Sequence, residues 1–324
     1  MRSITLLMNK QLRIFFDFVE LRTKIASVIP MTAGILWSIY RYKQFNLLTT
    51  VIFILAVLSF DMCTTAINNT MDYIKAKNEH YKHNENVIGI HQLTLKKMIY
   101  VVLGLLAFAI VMSLILVALT DIVLLAIGAI CFAIGILYTF GPVPISRTPY
   151  GEVFSGVTMG FGIYFIAVFI QSPQTLLATQ WLQNTVQVNW YWKTTLEIFM
   201  MSLPFICLIA NIMLANNTCD LETDITNERH TLVYYIGTYR AVRLYQLLSL
   251  LPWIFWGLYM VLGLLPLWAG IGFIGIYPHY LSVQRFSSKQ VKRETFVEAI
   301  KSFKLFAAIY LVVLIIAIIL SWFG

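Results

Sequence analysis

The sequence predicts an all-α integral membrane protein: nine transmembrane helices in one bundle, N-terminus inside and C-terminus outside, with residues 1–324 forming a single transmembrane domain. Three observations predict it. Hydrophobic residues make up 59% of the chain and charged residues 12%, where soluble domains carry roughly 45–50% and 25%. Apolar runs of the length needed to cross hydrocarbon as helix, roughly 17–25 residues, recur from one end to the other. Finally, with nine spans and an inside start, only Arg41, Lys43 and Lys193 of the 23 basic residues fall outside, as expected when cytoplasmic loops retain Lys and Arg. A count of eight or ten would put the basic stretch 285–304 on the wrong side. The net charge of +8 is then largely this bias, with attraction to anionic membrane lipid added. It calls for no nucleic acid.

The expected spans are 26–40, 47–67, 98–120, 122–140, 153–171, 196–215, 244–265, 267–283 and 305–323. No cleavable leader is expected, because residues 1–9 are short and run into a stretch mixing Lys10, Arg13, Phe15, Phe16, Phe18 and Arg22. That stretch reads as an amphipathic helix lying along the cytoplasmic interface. Arg22 and Lys24 open span one, either as snorkelling anchors or as anion ligands. Span two contains Asp61, and offsets of four, three and four put Asp61, Thr65, Asn68 and Asp72 on one helical face. An intramembrane Asp is a functional candidate by default, with a hydrogen bond to a neighbouring helix as the structural alternative. Loop 75–97 is long and charged. Its Glu79, His80 and His83 lack a fourth metal ligand and read as solvated.

Asp121 alone separates spans three and four, so that turn is tight. Turn 141–152, Gly-Pro-Val-Pro-Ile-Ser-Arg-Thr-Pro-Tyr-Gly-Glu, is stiffened by its Pro and Gly and carries Arg147 and Glu152. Arg147 is either a positive-inside residue or an anion ligand. Trp181, Trp190, Tyr191 and Trp192, crowded before span six, read as an interfacial aromatic belt. Spans seven and eight meet at Pro266, and Pro278 is placed to kink span eight. Cys63, Cys131, Cys207 and Cys219 are far apart and read as reduced, buried residues. No nucleotide-binding or H-E-x-x-H pattern is present.

The segment 216–231, which follows span six, concentrates the chemistry. Asp220, Asp224 and Glu228 recur every four residues and would stack on one helical face, with Glu222 close by. Such a cluster at a membrane boundary repels itself, so a bound hard cation such as Mg²⁺ is a way to keep it ionised. Otherwise it is a solvated acidic loop. An echo stands after span two: Asn68-Asn69 then Asp72, matching Asn216-Asn217 then Asp220, four spans apart. The pattern suggests a duplicated bundle whose two acidic faces meet on the cytoplasmic side.

These residues resemble the UbiA superfamily of intramembrane aromatic prenyltransferases, marked by N-x-x-x-D-x-x-x-D after span two and D-x-x-x-D-x-x-x-D after span six. The second mark reads Asp220, Asp224, Glu228, and the first Asn68, Asp72, with Ala76 where a third acid is expected. Alignment on Met71-Asp72-Tyr73 instead puts Lys75 at an acidic position, and Asp61 or Glu79 is placed to compensate. Leu21-Arg22-Thr23-Lys24 with Pro30 and Gly34, Glu85-Asn86-Val87-Ile88-Gly89, Tyr150-Gly151-Glu152-Val153-Phe154 and Arg229-His230-Thr231-Leu232 are similar to the branch that prenylates 1,4-dihydroxy-2-naphthoate for menaquinone biosynthesis.

The resemblance implies a bundle with a central cavity open to the cytoplasmic side of the plasma membrane. It implies Mg²⁺-dependent transfer of a polyprenyl group from polyprenyl diphosphate to the aromatic acceptor, with decarboxylation. Asp72, Asp220 and Asp224 would then be catalytic and, with Glu228, metal ligands; Asn68, Lys24, Arg147, Arg229 and Asn217 would bind substrate. The rival readings are a 4-hydroxybenzoate or haem-directed enzyme, a catalytically silent lipid-binding paralogue, and a transporter. A transporter predicts polar residues deep in several spans. Here the outer halves of the spans carry almost no charge apart from Glu197.

Overall fold

The computed structural model describes residues 10–76, 79–84 and 86–323. The reading of residues 1–9 and Glu85 of the first-loop resemblance lie outside the described residues, as does the side chain of His80. Helix α1 (Lys10–Phe18) is amphipathic, as its sequence requires, and buries Phe18. A left-handed turn at Glu20 leads into α2 (Ile25–Trp37), extended by a π-helical turn to Tyr42. Helix α3 (Leu47–Lys75) is capped by Asn46, whose side chain accepts from the Thr49 amide at 3.1 Å. Two short helices, α4 (Glu79–Asn84) and α5 (Val87–Ile90), precede α6 (Leu95–Leu119) and α7 (Val123–Thr139). Helix α8 (Gly151–Ser155) runs through a π-helical segment into α9 (Ile163–Phe169). Then come the strands β1 (Leu177–Trp181) and β2 (Val186–Trp190), followed by α10 (Trp192–Cys219), α11 (Leu221–Thr226) and α12 (Leu232–Val261). Helix α13 (Ile276–Ser288) follows a 3₁₀ segment, and α14 (Phe296–Phe323) ends the described chain.

Among the described residues six helical segments are long and apolar enough to cross a membrane: α3, α6, α8 to α9, α10, α12 and α14. They fall on expected spans two, three, five, six, seven and nine. The remaining expected spans hold α2, α7 and the 3₁₀ segment with α13, each shorter as a regular helix. Gly270, Gly272 and Gly275 in the 3₁₀ segment, with Pro266 before it and Pro278 after it, explain the irregular one, since both residue types weaken an α-helix interior. One segment between expected spans five and six is not helical. Residues 177–190 form an antiparallel hairpin, with Leu177 opposite Trp190 and Trp181 opposite Val186. The alternation Val186-Gln-Val-Asn-Trp190 is a strand pattern. Asp121 pins the hairpin by accepting from the Thr179 amide (2.8 Å) and hydroxyl (2.6 Å).

Within hydrocarbon, helices associate through close packing rather than apolar transfer, so small residues decide where they touch. Gly156 and Gly160 press the α8 to α9 segment onto α10. A Cβ at Gly156 would lie 2.7 Å from the Ile206 carbonyl oxygen, and one at Gly160 2.6 Å from the Ile206 nitrogen. These obstacles are backbone and cannot move aside as a side chain can. Gly160→Val is therefore expected to destabilise the protein by about 1–3 kcal/mol or more, read as a lower unfolding midpoint in detergent.

The loops sort to two ends. At one, Arg41 grips Glu197 through Nε (3.0 Å) and Nη2 (3.1 Å), Tyr42 donates to the same carboxylate (2.9 Å), and Lys43 donates to Ser321 (2.6 Å). An open apolar cavity of about 340 Å³ lies there, lined by Phe161, Trp190, Trp192, Thr195, Leu196 and Phe199. The other end gathers the acidic motifs. The four cysteines are free thiols, and Cys63 and Cys207 are buried.

Candidate functional site

The first half of the site is the last two turns of α3. Asn68 and Asp72 are one turn apart, and the Asn68 amide donates to the Asp72 carboxylate at 3.1 Å. The helix ends at Lys75, and Ala76 is already extended. The third position of this motif therefore lies off the helical face, whatever residue stands there.

The second half repeats the arrangement at the end of α10. Asn216 donates to Asp220 at 3.3 Å. The chain bends at Asp220 and re-enters helix as α11, where the Asp224 amide donates to the Asp220 carbonyl at 2.8 Å. Asp220 and Asp224 thus stay one turn apart. Glu228 does not join them: α11 ends at Thr226, and Glu228 sits beyond it, exposed, with φ 55°. The continuous three-acid face expected from sequence is cut short by the helix C-terminus.

Three basic side chains meet the three acids, one each. Arg147 lies 4.0 Å from Asp72, Arg229 lies 3.3 Å from Asp224, and Lys292 bonds Asp220 and the Asn216 side-chain oxygen. Arg147 also ties its turn to the second motif, donating to the Asn227 carbonyl (3.4 Å) while its own carbonyl accepts from the His230 amide (3.2 Å). The two halves face each other electrostatically, since Arg229 acts on Asp72 and Asp72 acts on Asp224. Burial pushes the Asp224 carboxyl up to about 6; Arg229 opposes the shift, while Asp220 and Asp72 add to it.

Behind this layer Asn217 donates to Glu152 at 2.9 Å, both side chains buried. Asn217 thus orients a carboxylate of α8 instead of standing with the acids. Lys24 is also placed elsewhere. It is 3% exposed, and its ammonium donates to the Asp61 carboxylate (2.7 Å), the Asp61 carbonyl (3.1 Å) and Thr65 (2.5 Å). The other Asp61 oxygen accepts from Ser27 at 2.6 Å. Asp61 is eleven residues from Asp72, about 16 Å along a helix, so it does not replace the missing acid. Glu79 contacts His83 at 3.1 Å within α4.

Lys292 and Glu152 are the contributors that sequence reasoning passed over. Lys292 was one of several basic residues in 285–304, and Glu152 one residue of a stiff turn. Only the repeated Asn-Asn-x-x-Asp pattern pointed at their partners.

A divalent cation fits the donor set in part. Among the described residues no three carboxylate, imidazole or thiolate side chains converge as a ready-made metal cage. Yet Asp224 Oδ2, Glu152 Oε2 and Asn217 Oδ1 are buried acceptors without a hydrogen-bond partner, and Arg229 Nε, 3.3 Å from Asp224 Oδ1, is ion-paired there without an aligned hydrogen bond. Buried polar groups are costly when unpaired. An open carboxylate oxygen on Asp224 beside an arginine suits a hard cation and a phosphate-bearing ligand together.

Known proteins match this picture. The model of the UbiA prenyltransferase family matches residues 27–306. The chain is 27% identical over 238 residues to a 1,4-dihydroxy-2-naphthoate octaprenyltransferase of Bacillus subtilis, covering 72% of this chain and 68% of that one. It is 28% identical over 179 residues to the protein so named in Mycobacterium tuberculosis, covering 55% of each. In structure it is similar to a UbiA homologue from Archaeoglobus fulgidus bound to GPP and Mg²⁺, with a TM-score of 0.64 at 12% identity, covering 94% of this chain and 99% of that one. The match through most of its length, with the Asn-x-x-x-Asp pairs on two helix ends of the bundle, establishes that the chain belongs to the UbiA prenyltransferase family and is a polyprenyltransferase.

Proposed function

We propose that the protein transfers a polyprenyl group from polyprenyl diphosphate to 1,4-dihydroxy-2-naphthoate, with loss of the carboxylate, as a step of menaquinone biosynthesis. The observation that carries the chemistry is the pairing of two Asn-x-x-x-Asp helix ends with three basic side chains. The acceptor follows the names of the two relatives. In this reading the chain crosses the membrane nine times, with α2, α7 and the 3₁₀ segment with α13 completing the count. The site faces the cytoplasm and the basic loops.

Asp72, Asp220 and Asp224, assisted by Asn68, would hold the metal, and Glu228 would approach only as a more distant acid. When bound, a divalent cation such as Mg²⁺ supplies positive charge that lowers the cost of the departing diphosphate. Arg147 and Arg229 are the cationic groups of this chain aimed at the same charge, and they are fixed before substrate arrives. Arg147 is held through Asn227 and His230, Arg229 by Asp224. The apolar helix interiors shield the allylic cation from water until the electron-rich naphthoate ring attacks it. The prenyl tail extends into lipid, as a site at the bilayer edge allows. Lys24, with its three donors engaged, takes no part.

The test is a membrane assay with radiolabelled prenyl diphosphate offered dihydroxynaphthoate and hydroxybenzoate in parallel. Label is expected in the naphthoate product and to depend on Mg²⁺. Transfer to hydroxybenzoate alone would overturn the acceptor assignment, and no transfer to either would favour a lipid-binding role.

A further inference from the structure

Of the three basic partners, Arg147 and Lys292 come from outside both motifs, and Lys292 stands in the connection 289–295 between α13 and α14. That connection is held by its own hydrogen bonds. Thr295 donates to the Lys289 carbonyl (2.7 Å) and accepts from the Val291 amide (2.9 Å). Gln290 donates to the carbonyls of Phe286 (2.8 Å) and Ser287 (2.9 Å), and Lys289 pairs with Glu294 (2.6 Å). A turn fixed in this way delivers one ammonium to the acidic edge. Its Nζ bonds both the Asp220 carboxylate and the Asn216 side-chain oxygen, and lies 5.0 Å from the ring centroid of Phe296.

A carboxylate and a side-chain amide oxygen are the donors a hard cation takes. The ammonium of Lys292 therefore occupies coordination that a metal would claim. It differs from its two neighbours in freedom. Arg147 is docked on the 227–230 segment and Arg229 is tied by its amide to the Asp224 carbonyl (2.8 Å), whereas Lys292 carries a point charge on a flexible stem that is 41% exposed. A cation arriving at Asp220 repels the ammonium, and the nearest compensating charge is then the diphosphate that arrives with it.

We propose that Lys292 is a diphosphate-binding residue that neutralises Asp220 until a divalent cation takes its place, and then turns to the substrate. The inference rests on the metal and diphosphate reading of the site. It gives one residue two effects of opposite sign: Lys292 competes with the metal and assists the diphosphate. A merely structural ion pair does not produce that split.

The full chain in detergent carries the test, using Mn²⁺ binding by electron paramagnetic resonance without substrate as a readout independent of turnover. Lys292→Met is expected to bind Mn²⁺ about two- to fivefold more tightly, the scale that a half-exposed ion pair commands. Its KM for the prenyl diphosphate is expected to rise about tenfold, with a smaller change in kcat. Lys292→Arg should return Mn²⁺ affinity and most of the KM to the parent values. Unchanged or weaker Mn²⁺ binding by Lys292→Met overturns the proposal, as does an unchanged KM. Asp224→Asn separates the two levels. If it binds Mn²⁺ as the parent does, the metal reading fails and takes the Lys292 proposal with it; if it loses Mn²⁺ while Lys292→Met is unaltered, only the Lys292 proposal fails. Should Lys292→Met not fold, Lys292→Gln carries the same measurements.

Discussion

Asp224→Asn is expected to lower kcat/KM for prenyl transfer on the order of 10²–10³-fold, the loss seen when a fixed electrostatic group is removed from a reacting site, without unfolding the protein. Asp224 is 4% exposed, one of its oxygens has no hydrogen-bond partner, and the other faces Arg229. Its carboxyl is held up to about 6, first by burial. Between the ordinary carboxylate value and about 6 the native state binds more protons than the unfolded chain, so this group's contribution to stability falls as pH rises through that window. The ionised side chain is thus a burden on the fold above about pH 6, and the amide removes it. A cation also relieves it, and must displace the proton to do so. Metal affinity is accordingly expected to be flat at neutral pH and to fall toward tenfold per pH unit below about 6. Metal should raise the unfolding midpoint more at neutral pH than at about pH 5. Parent-like turnover in Asp224→Asn would remove the second motif from the chemistry.

What the sequence revealed of this site was whatever is local in the chain. The Asn68/Asp72 and Asn216/Asp220 pairs are each one turn apart, and helical periodicity joins such residues without knowledge of the fold. The charge asymmetry likewise follows from one physical rule applied loop by loop. What stayed hidden depends on distant parts of the chain meeting. Lys292 reaches Asp220 across 72 positions, and nothing in 285–304 sets it apart from its basic neighbours. Lys24 and Asp61 are 37 positions apart, and a lysine at the start of a span looks the same whether it snorkels or is buried on a carboxylate. Helix ends were the other blind spot. Periodicity carried Ala76 and Glu228 onto the acidic faces, while α3 stops at Lys75 and α11 at Thr226. Termini depend on capping and docking that a repeat of four does not encode. The hairpin 177–190 is masked in the sequence by aromatic residues, Trp181, Trp190 and the adjoining Tyr191, which fit an interfacial belt as well as a short strand pair.

Lys24→Met is expected to destabilise the protein by about 3–5 kcal/mol, because it strips the partner from a carboxylate inside the helix bundle. The network is closed: three ammonium donors meet three acceptors, and the second Asp61 oxygen takes the Ser27 hydroxyl. Desolvating two charges offsets much of what they gain from each other, so replacing the pair should be far milder than breaking it. Lys24→Met with Asp61→Leu is expected to recover most of the stability, measured by unfolding in mixed micelles. The pair joins the entry of α2 to α3 seven residues, about two turns, before Asn68. From that place it is expected to hold the register of α3, on which the emergence of Asn68 and Asp72 opposite Arg147 depends. The double variant also decides between positioning and binding. If Lys24 acts through the register of α3, the KM for prenyl diphosphate should return toward the parent value together with stability. Recovered stability with a KM that stays raised would mean that the ammonium itself meets the substrate, and that the Asp61 contact is a resting position.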